Sequence, residues 1–274
     1  MELSDLLKGL YHKDIECTKT NLGLTNTIYK ATIDGMKVAI RVPNDDIHHL
    51  IVHDEKKILD LIKTTDLDVD EIYYDEKTHI RITRWIDGAK TFSECHDIDK
   101  DMRAVTLIKK LHDHRFKVDD VFDPKKLYLD FKSLVTHRLY DYERYEDLFD
   151  DYEKIDHELI LCHNDLVSGN FLLKDGCDHL IDYEYAAMND PFFDLMSFIS
   201  ENNIDDIDRR NAIIFSYLER EPSHKERIEL HITEMMMDLL WAMWANMLYC
   251  TRKEDVYLEI AEDKYAHLSR GIAK

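Results

Sequence analysis

Glycine and proline are scarce, at seven and four residues in 274. So few breakers exclude collagen-like repeats, low-complexity tracts and long flexible linkers, and no internal repeat period is found. Cysteine is thin as well. Cys17, Cys95, Cys162, Cys177 and Cys250 are widely spaced with no CxxC pair, which excludes a disulfide framework and a paired-cysteine zinc site and reads as reduced thiols. The longest apolar run, residues 235–250, is shorter than the roughly 20 residues of a membrane-spanning helix and is broken by Asp238 and Asn246. The opening MELSDLLKGLYHKD lacks an apolar stretch behind a basic start, so the expectation is a soluble cytoplasmic protein with no secretory leader.

Positive charge is the other shortage. Lysine and arginine number 36 against 57 acidic residues, a formal net charge of −21. That field repels nucleic acid and anionic lipid, so no nucleic-acid or membrane partner is expected, and small cationic partners are favoured. It also opposes a nucleotide, which would need a divalent metal and a few well-placed basic groups. With 45% hydrophobic residues there is ample material for a core, and the length suits two lobes.

The order of elements carries the organisation. Two strand-like runs between Ile28 and Val42 flank Asp34-Gly35, a hairpin turn whose central residues tolerate positive φ. In the second run Met36, Val38, Ile40 and Val42 share one face, and Lys37, Ala39 and Arg41 the other. A helical pattern follows over 53–63, then strands near 71–74 and 80–86. After Gly88 helices dominate, over roughly 101–114, 127–148, 211–220 and 224–250, with short apolar runs at 159–162, 171–173 and 179–181 inserted among them. The pattern divides the chain into a sheet-rich lobe, residues 1–87, and a mainly helical lobe, residues 88–274: an α+β class.

The stretch from Leu161 to Asp194 carries the chemistry. His163, Asp165 and Asn170 form HxDxxxxN, and Asp182 follows the next hairpin. This spacing suits phosphoryl transfer, in which one carboxylate orients the attacking hydroxyl while an amide oxygen and a second carboxylate hold magnesium against the phosphates. Upstream, Val38-Ala39-Ile40-Arg41 stands where kinases carry VAIK, with arginine in place of lysine; its fork of donors suits phosphate oxygens. Glu55 is the candidate partner for Arg41, with Asp54 as competitor. On the long apolar helix Trp241 and Trp244, at i and i+3, share a face. Such a pair serves either as core or as part of an aromatic box for a quaternary ammonium.

At these residues the chain resembles the choline/ethanolamine kinase family, within the aminoglycoside-phosphotransferase and protein-kinase-like superfamily. The resemblance runs from LGLTNTIYK through VAIRVP, ITRWIDGAKTF, CHNDLVSGNFL and IDYEYAAMNDPFFDL to LLWAMW, and is nearest to short bacterial choline kinases. It implies a protein-kinase-like two-lobed fold, with a small N-terminal antiparallel sheet bearing a helix and a larger helical C-terminal lobe. It implies ATP and Mg2+ as cofactors and a small cationic alcohol, choline foremost, as substrate, with ethanolamine, thiamine or an aminoglycoside as rivals. By the same resemblance Asp165 would be the catalytic base and Asn170 and Asp182 the magnesium ligands. Arg41 with Glu55 would bind phosphate, Thr25 and Asn26 would lie in the nucleotide loop, and Arg84, Trp85 and Ile86 would meet the adenine. Glu184 would lie beside the catalytic pocket, Trp241 and Trp244 would form part of a choline cage, and Asp194 would brace the catalytic loop. Tyr185, Tyr249, Tyr257 and Tyr265 are all candidates to complete the cage. The glycine loop is sparse and long extensions are lacking, so no oligomeric state is implied.

Overall fold

The computed structural model describes residues 3–20, 23, 26–44 and 54–271. The chain forms two compact units, one of residues 1–111 with 167–184, the other of residues 112–166 with 185–274. The change from strand-rich to helix-rich sequence near residue 88 thus falls inside the first unit, which takes back the later segment 167–184.

The first unit is organised by a five-stranded antiparallel sheet in the order β1-β2-β3-β5-β4, with β1 at Cys17–Lys19, β2 at Asn26–Ile33, β3 at Met36–Pro43, β4 at Glu71–Tyr74 and β5 at Arg81–Arg84. Asp34 and Gly35 both take positive φ, 50° and 82°, matching a tight turn to the right-handed twist of β2 and β3. Val38 and Ile40 of β3 and Ile82 of β5 are fully buried, and α1, Leu3–Tyr11, adds Leu6 and Leu7 to the same cluster. Helix α2, Glu55–Ile62, begins on Asp54, whose carboxylate caps the backbone N–H of Lys57, and buries Ile58, Leu59 and Ile62. Segment 167–184 contributes the short hairpin of β7, Phe171–Leu172, and β8, His179–Leu180, turning at Gly176 with φ 73°.

The second unit is mainly helical. Its only described strand pair joins β6, Ile160–Cys162, to β9, Ala187–Asn189. Helix α3, Lys100–Asp113, runs into it from the first unit; then come α4 at Pro124–Leu134, α5 at Asp147–Glu153, α6 at Pro191–Glu201 and α7 at Ile207–Leu218. Helix α8, His224–Arg252, starts with a capping box in which Ser223 and Glu226 satisfy each other's backbone N–H, and it is buried almost without interruption from Thr233 to Leu248. Helix α9, Asp255–Gly271, packs along it. The expected helix over 127–148 is corrected: it stops at Leu134, Val135 turns extended, and a short 3-10 turn precedes α5. The buried side chain of Asn246 offers a better outlet, accepting from Leu139 N–H and donating to the His137 carbonyl, and so diverts this stretch from helix.

Burying α8 on all sides brings Asp238, fully buried, against α9. Asp238 pairs with His267 and lies 3.5 Å from Lys264, which also binds Glu201 at 2.6 Å. The hydrogen bond to Asp238 raises the His267 pKa above its ordinary 6.5, against the opposing effects of burial and Lys264, with Glu234 assisting. A raised histidine pKa means the pair stabilises fully below about pH 6.5 and fades as the pH rises through the folded value. His267→Gln should therefore cost about 1 kcal/mol near pH 5.5, the gap to the native protein closing towards pH 9, as measured by urea unfolding.

Candidate functional site

In the first unit β3 presents Arg41 on the face opposite Val38 and Ile40, yet the arginine is only 7% exposed. A buried guanidinium needs counter-charges. Glu55, in the first turn of α2, takes the Arg41 Nη2 on both carboxylate oxygens at 2.5 and 2.7 Å, and Asp182 takes Nη1 at 2.5 Å. Asp54 is the helix cap, so the partner in question is Glu55. Burial alone would lower the arginine's pKa, but Glu55, Asp182 and Glu184 together drive it well above the ordinary value, and the charge is permanent.

The neighbouring strand repeats the arrangement. Arg81 of β5 stands in register with Arg41 and binds Asp68 at 2.7 Å and Glu71 at 3.1 Å. Burial keeps the Asp68 carboxyl above its usual range even though Arg81 opposes this.

The hairpin β7–β8 joins the segments that carry Asn170 and Asp182. Asn170, in the turn just before β7, accepts through its backbone carbonyl from Ile181 N–H at 2.9 Å, which holds it beside the residue preceding Asp182. Asp182 itself takes a left-handed backbone, φ 69°. An amide oxygen and a carboxylate are hard donors of the kind Mg2+ accepts. Glu55, Asp182 and Glu184 outnumber the guanidinium they act on, so an anion placed at Arg41 would need a cation beside it. The residues fit the metal.

Asn26, first residue of β2, is buried and donates to Glu184 Oε2 at 2.9 Å. Upstream, Gly23 takes φ 84°, and a Cβ there would lie 2.7 Å from the Asn26 carbonyl oxygen. Thr25 lies outside the described residues. At the end of β5, Arg84 is exposed and paired with Asp70, Trp85 is half-buried with the Lys30 ammonium 4.1 Å over its ring, and the Ile86 carbonyl accepts from Ala89 N–H.

In the second unit the loop carrying Asp165 is pinned on both sides. Fully buried Asp194, on α6, accepts from the backbone N–H groups of His163 and Asn164, both at 2.7 Å. Leu166 N–H donates to Ser197 Oγ, and its carbonyl accepts from Asn202. Asn164 has φ 65°, held by side-chain bonds to the Tyr185 carbonyl and from Asn189. His112 Nε2 lies 2.9 Å from Asp194 and its Nδ1 2.7 Å from Tyr217. A carboxylate only accepts, so Nε2 is the nitrogen that donates to Asp194.

His112, Cys162 and Asp194 also place ligand atoms within 4.8 Å of one another, a grouping that no sequence spacing announces. Each already has a protein partner, and Cys162 gives its proton to the Asn189 carbonyl, with burial pushing the thiol pKa far up. The cluster is a brace for the loop.

The tryptophan pair belongs to a series of four rings in this unit. Tyr185 meets Trp241 edge-on at 5.9 Å, Trp241 meets Trp244 at 6.3 Å, and Trp244 meets Tyr257 of α9 at 5.9 Å, all close to perpendicular. Trp241 and Trp244 retain 8% and 9% exposure, and the Trp244 indole N–H is buried with no protein partner. Tyr249 instead faces Lys253, and Tyr265 packs with Tyr140, Tyr142 and Tyr145. Tyr257 could not be singled out from sequence because α9 itself was not foreseen.

An antiparallel sheet with an arginine–glutamate pair, followed by a helical part with a braced HxDxxxxN loop, defines a kinase-like phosphotransferase. Residues 57–268 match the model of the choline/ethanolamine kinase family. The chain belongs to that family, and it is an ATP-dependent kinase acting on choline-like substrates. Protein LicA of Haemophilus influenzae is 25% identical over 243 residues, covering 82% of this chain and 71% of that one. In fold, the choline kinase LicA from Streptococcus pneumoniae gives a TM-score of 0.81 at 21% identity, over 99% of this chain and 97% of its own. A LicA structure in complex with AMP gives 0.78 at 20% identity, over 98% and 97%. No described helix is long and apolar enough to cross a membrane.

Asp194→Ala would leave the backbone donors of His163 and Asn164 buried without their acceptor. It should cost about 3 kcal/mol or more in urea unfolding and remove most turnover, whereas Tyr217→Phe, which takes only the outermost hydroxyl, should cost about 1 kcal/mol.

Proposed function

We propose that this kinase transfers the γ-phosphoryl group of ATP to the hydroxyl of choline, giving phosphocholine and ADP. The observation that carries the choice of choline is the four-ring series Tyr185, Trp241, Trp244 and Tyr257. A trimethylammonium group has no N–H to donate and gains from aromatic surfaces, each contact contributing about 0.5–2 kcal/mol. A primary ammonium such as that of ethanolamine wants acceptors instead. The net charge of −21 has the sign that concentrates a cation.

Roles are assigned as follows. The first 87 residues handle the nucleotide, with Thr25 and Asn26 in the phosphate loop and Arg84, Trp85 and Ile86 along the adenine. Residues 88–274 supply the catalytic and acceptor side. Arg41, oriented by Glu55, grips phosphate oxygens, and Glu184 helps to orient the acceptor. Asn170 and Asp182 would hold Mg2+, which would neutralise charge gathering on the phosphate oxygens. Asp165 aligns the choline hydroxyl and takes its proton late, as the new oxygen–phosphorus bond forms and the bond from the γ-phosphorus to the bridging oxygen of ADP breaks. Full prior deprotonation of a high-pKa alcohol is unnecessary. Its neighbours' anchoring to Asp194 and Ser197 suits this alignment role, since positioning provides much of the rate in phosphoryl transfer.

The experiment is ATP turnover against choline, ethanolamine, thiamine and kanamycin, with Asp165→Ala as the blank. Choline should give the highest kcat/KM, and Asp165→Ala should lose at least about a hundredfold in kcat. Trp244→Ala should lower kcat/KM for choline by roughly tenfold and for ethanolamine by much less. Equal losses on the two substrates would remove the cage from the proposal while leaving the kinase.

A further inference from the structure

The Arg41–Glu55 pair has a second layer of support. The Tyr74 hydroxyl, at the end of β4, lies 3.0 Å from Glu55 Oε2 and 2.8 Å from His79 Nδ1. His79 sits in the turn between β4 and β5 with φ 53°, and that turn is tied by Asp75, whose carboxylate accepts from the N–H groups of Lys77 and Thr78 and whose carbonyl accepts from His79 N–H. The two rings meet edge to face, centroids 6.1 Å apart.

The direction of this chain of hydrogen bonds follows from donor counting. A carboxylate accepts only, so the single hydroxyl proton of Tyr74 goes to Glu55, and His79 donates from Nδ1 to the phenol oxygen. Burial, and then the Glu55 charge, push the Tyr74 pKa up, which keeps that proton in place.

Arg41 has two acids to serve. Its Nη2 is held by Glu55 and its Nη1 by Asp182, and its Nε has no partner among the described residues. Every weakening of the grip of Glu55 moves Arg41 towards Asp182, and an Asp182 oxygen occupied by a guanidinium is unavailable to a metal ion.

We propose that Tyr74 is a positioning residue: by orienting Glu55 it fixes how Arg41 divides between Glu55 and Asp182, and so how readily Asp182 is released to Mg2+ when ATP binds. This rests on the reading of Asp182 as a metal ligand and of Arg41 as a phosphate contact. Glu55→Gln is the limiting case, because a neutral amide leaves Asp182, among the described residues, as the carboxylate hydrogen-bonded to Arg41. Loss of the Tyr74 hydroxyl acts in the same direction, less strongly.

The test is Tyr74→Phe, which removes one oxygen and keeps the ring. ATP binding is titrated by calorimetry at a series of Mg2+ concentrations, with thermal unfolding and the kinetic constants alongside. The Mg2+ concentration giving half of the maximal ATP affinity should rise roughly fivefold, part of what a hydrogen bond to a charged group is worth. Glu55→Gln should move it further, the KM for choline should stay put, and kcat should return at high Mg2+. An unchanged Mg2+ midpoint in Tyr74→Phe overturns the proposal, as does a general loss of affinity that excess Mg2+ does not restore. Asp182→Asn separates the two levels: if it leaves the Mg2+ dependence of ATP binding unchanged, the metal assignment itself fails. If it abolishes that dependence while Tyr74→Phe does nothing, only the role of Tyr74 fails.

Discussion

A guanidinium kept from water organises the first unit. Arg41 is nearly buried, and an unpaired charge there would cost several kcal/mol. Its two acids come from separate parts of the chain, Glu55 from the start of α2 and Asp182 from the end of the β7–β8 hairpin, so satisfying one side chain fixes strand, helix and hairpin together. The strand next to it carries Arg81 in register, and two like charges side by side would repel were Arg81 not enclosed by its own pair, Asp68 and Glu71. The layout spends acidic residues on fixing geometry and leaves a surplus of carboxylates around Arg41.

The second unit solves a related problem with the charge reversed. Asp194 is fully buried, and among the described residues its oxygens are stabilised by two backbone N–H groups and by His112 rather than by a guanidinium or ammonium. A carboxylate neutralised by backbone donors orders the backbone that supplies them. The segment on either side of Asp165 is therefore anchored, with Ser197 and Asn202 of the same helical neighbourhood taking Leu166. In the grouping of His112, Cys162 and Asp194, His112 is held between Asp194 and Tyr217 and Cys162 gives its proton to the Asn189 carbonyl, which is why that compact grouping reads as structure.

Local signals were legible in the sequence wherever the physics is local. Asp34-Gly35 marked its hairpin because only a few residues tolerate two successive positive φ values, and the HxDxxxxN spacing marked the loop because its chemistry fixes residue types. The choice between Asp54 and Glu55 stayed open until the structure showed that Asp54 caps α2 and is thereby spent. Helix periodicity over 127–148 misled because Asn246, a hundred residues away, competes for the backbone of 137–139. Helix α9 was missed for a similar reason: few of its residues are apolar and buried, and the half-buried Lys264 and His267 look like surface until Asp238 and Glu201 are set opposite them. Tyr74 carried no motif at all, since its role exists only through Glu55.

The arginine at position 41, where a VAIK pattern would carry lysine, suits this geometry. An ammonium is a compact point charge and is met most strongly by one carboxylate at a time, whereas the planar guanidinium presents separate N–H edges. Here Nη2 is given to Glu55, Nη1 to Asp182, and Nε is left over. In the role proposed for Arg41, the side chain stays clamped by its helix partner while its other edge passes from Asp182 to a phosphate oxygen, so that the buried charge stays compensated. A lysine would bring all its N–H groups to the same partners from a single nitrogen, without separate edges to divide between them. On that reading the handover from protein carboxylate to nucleotide is a rotation about Glu55.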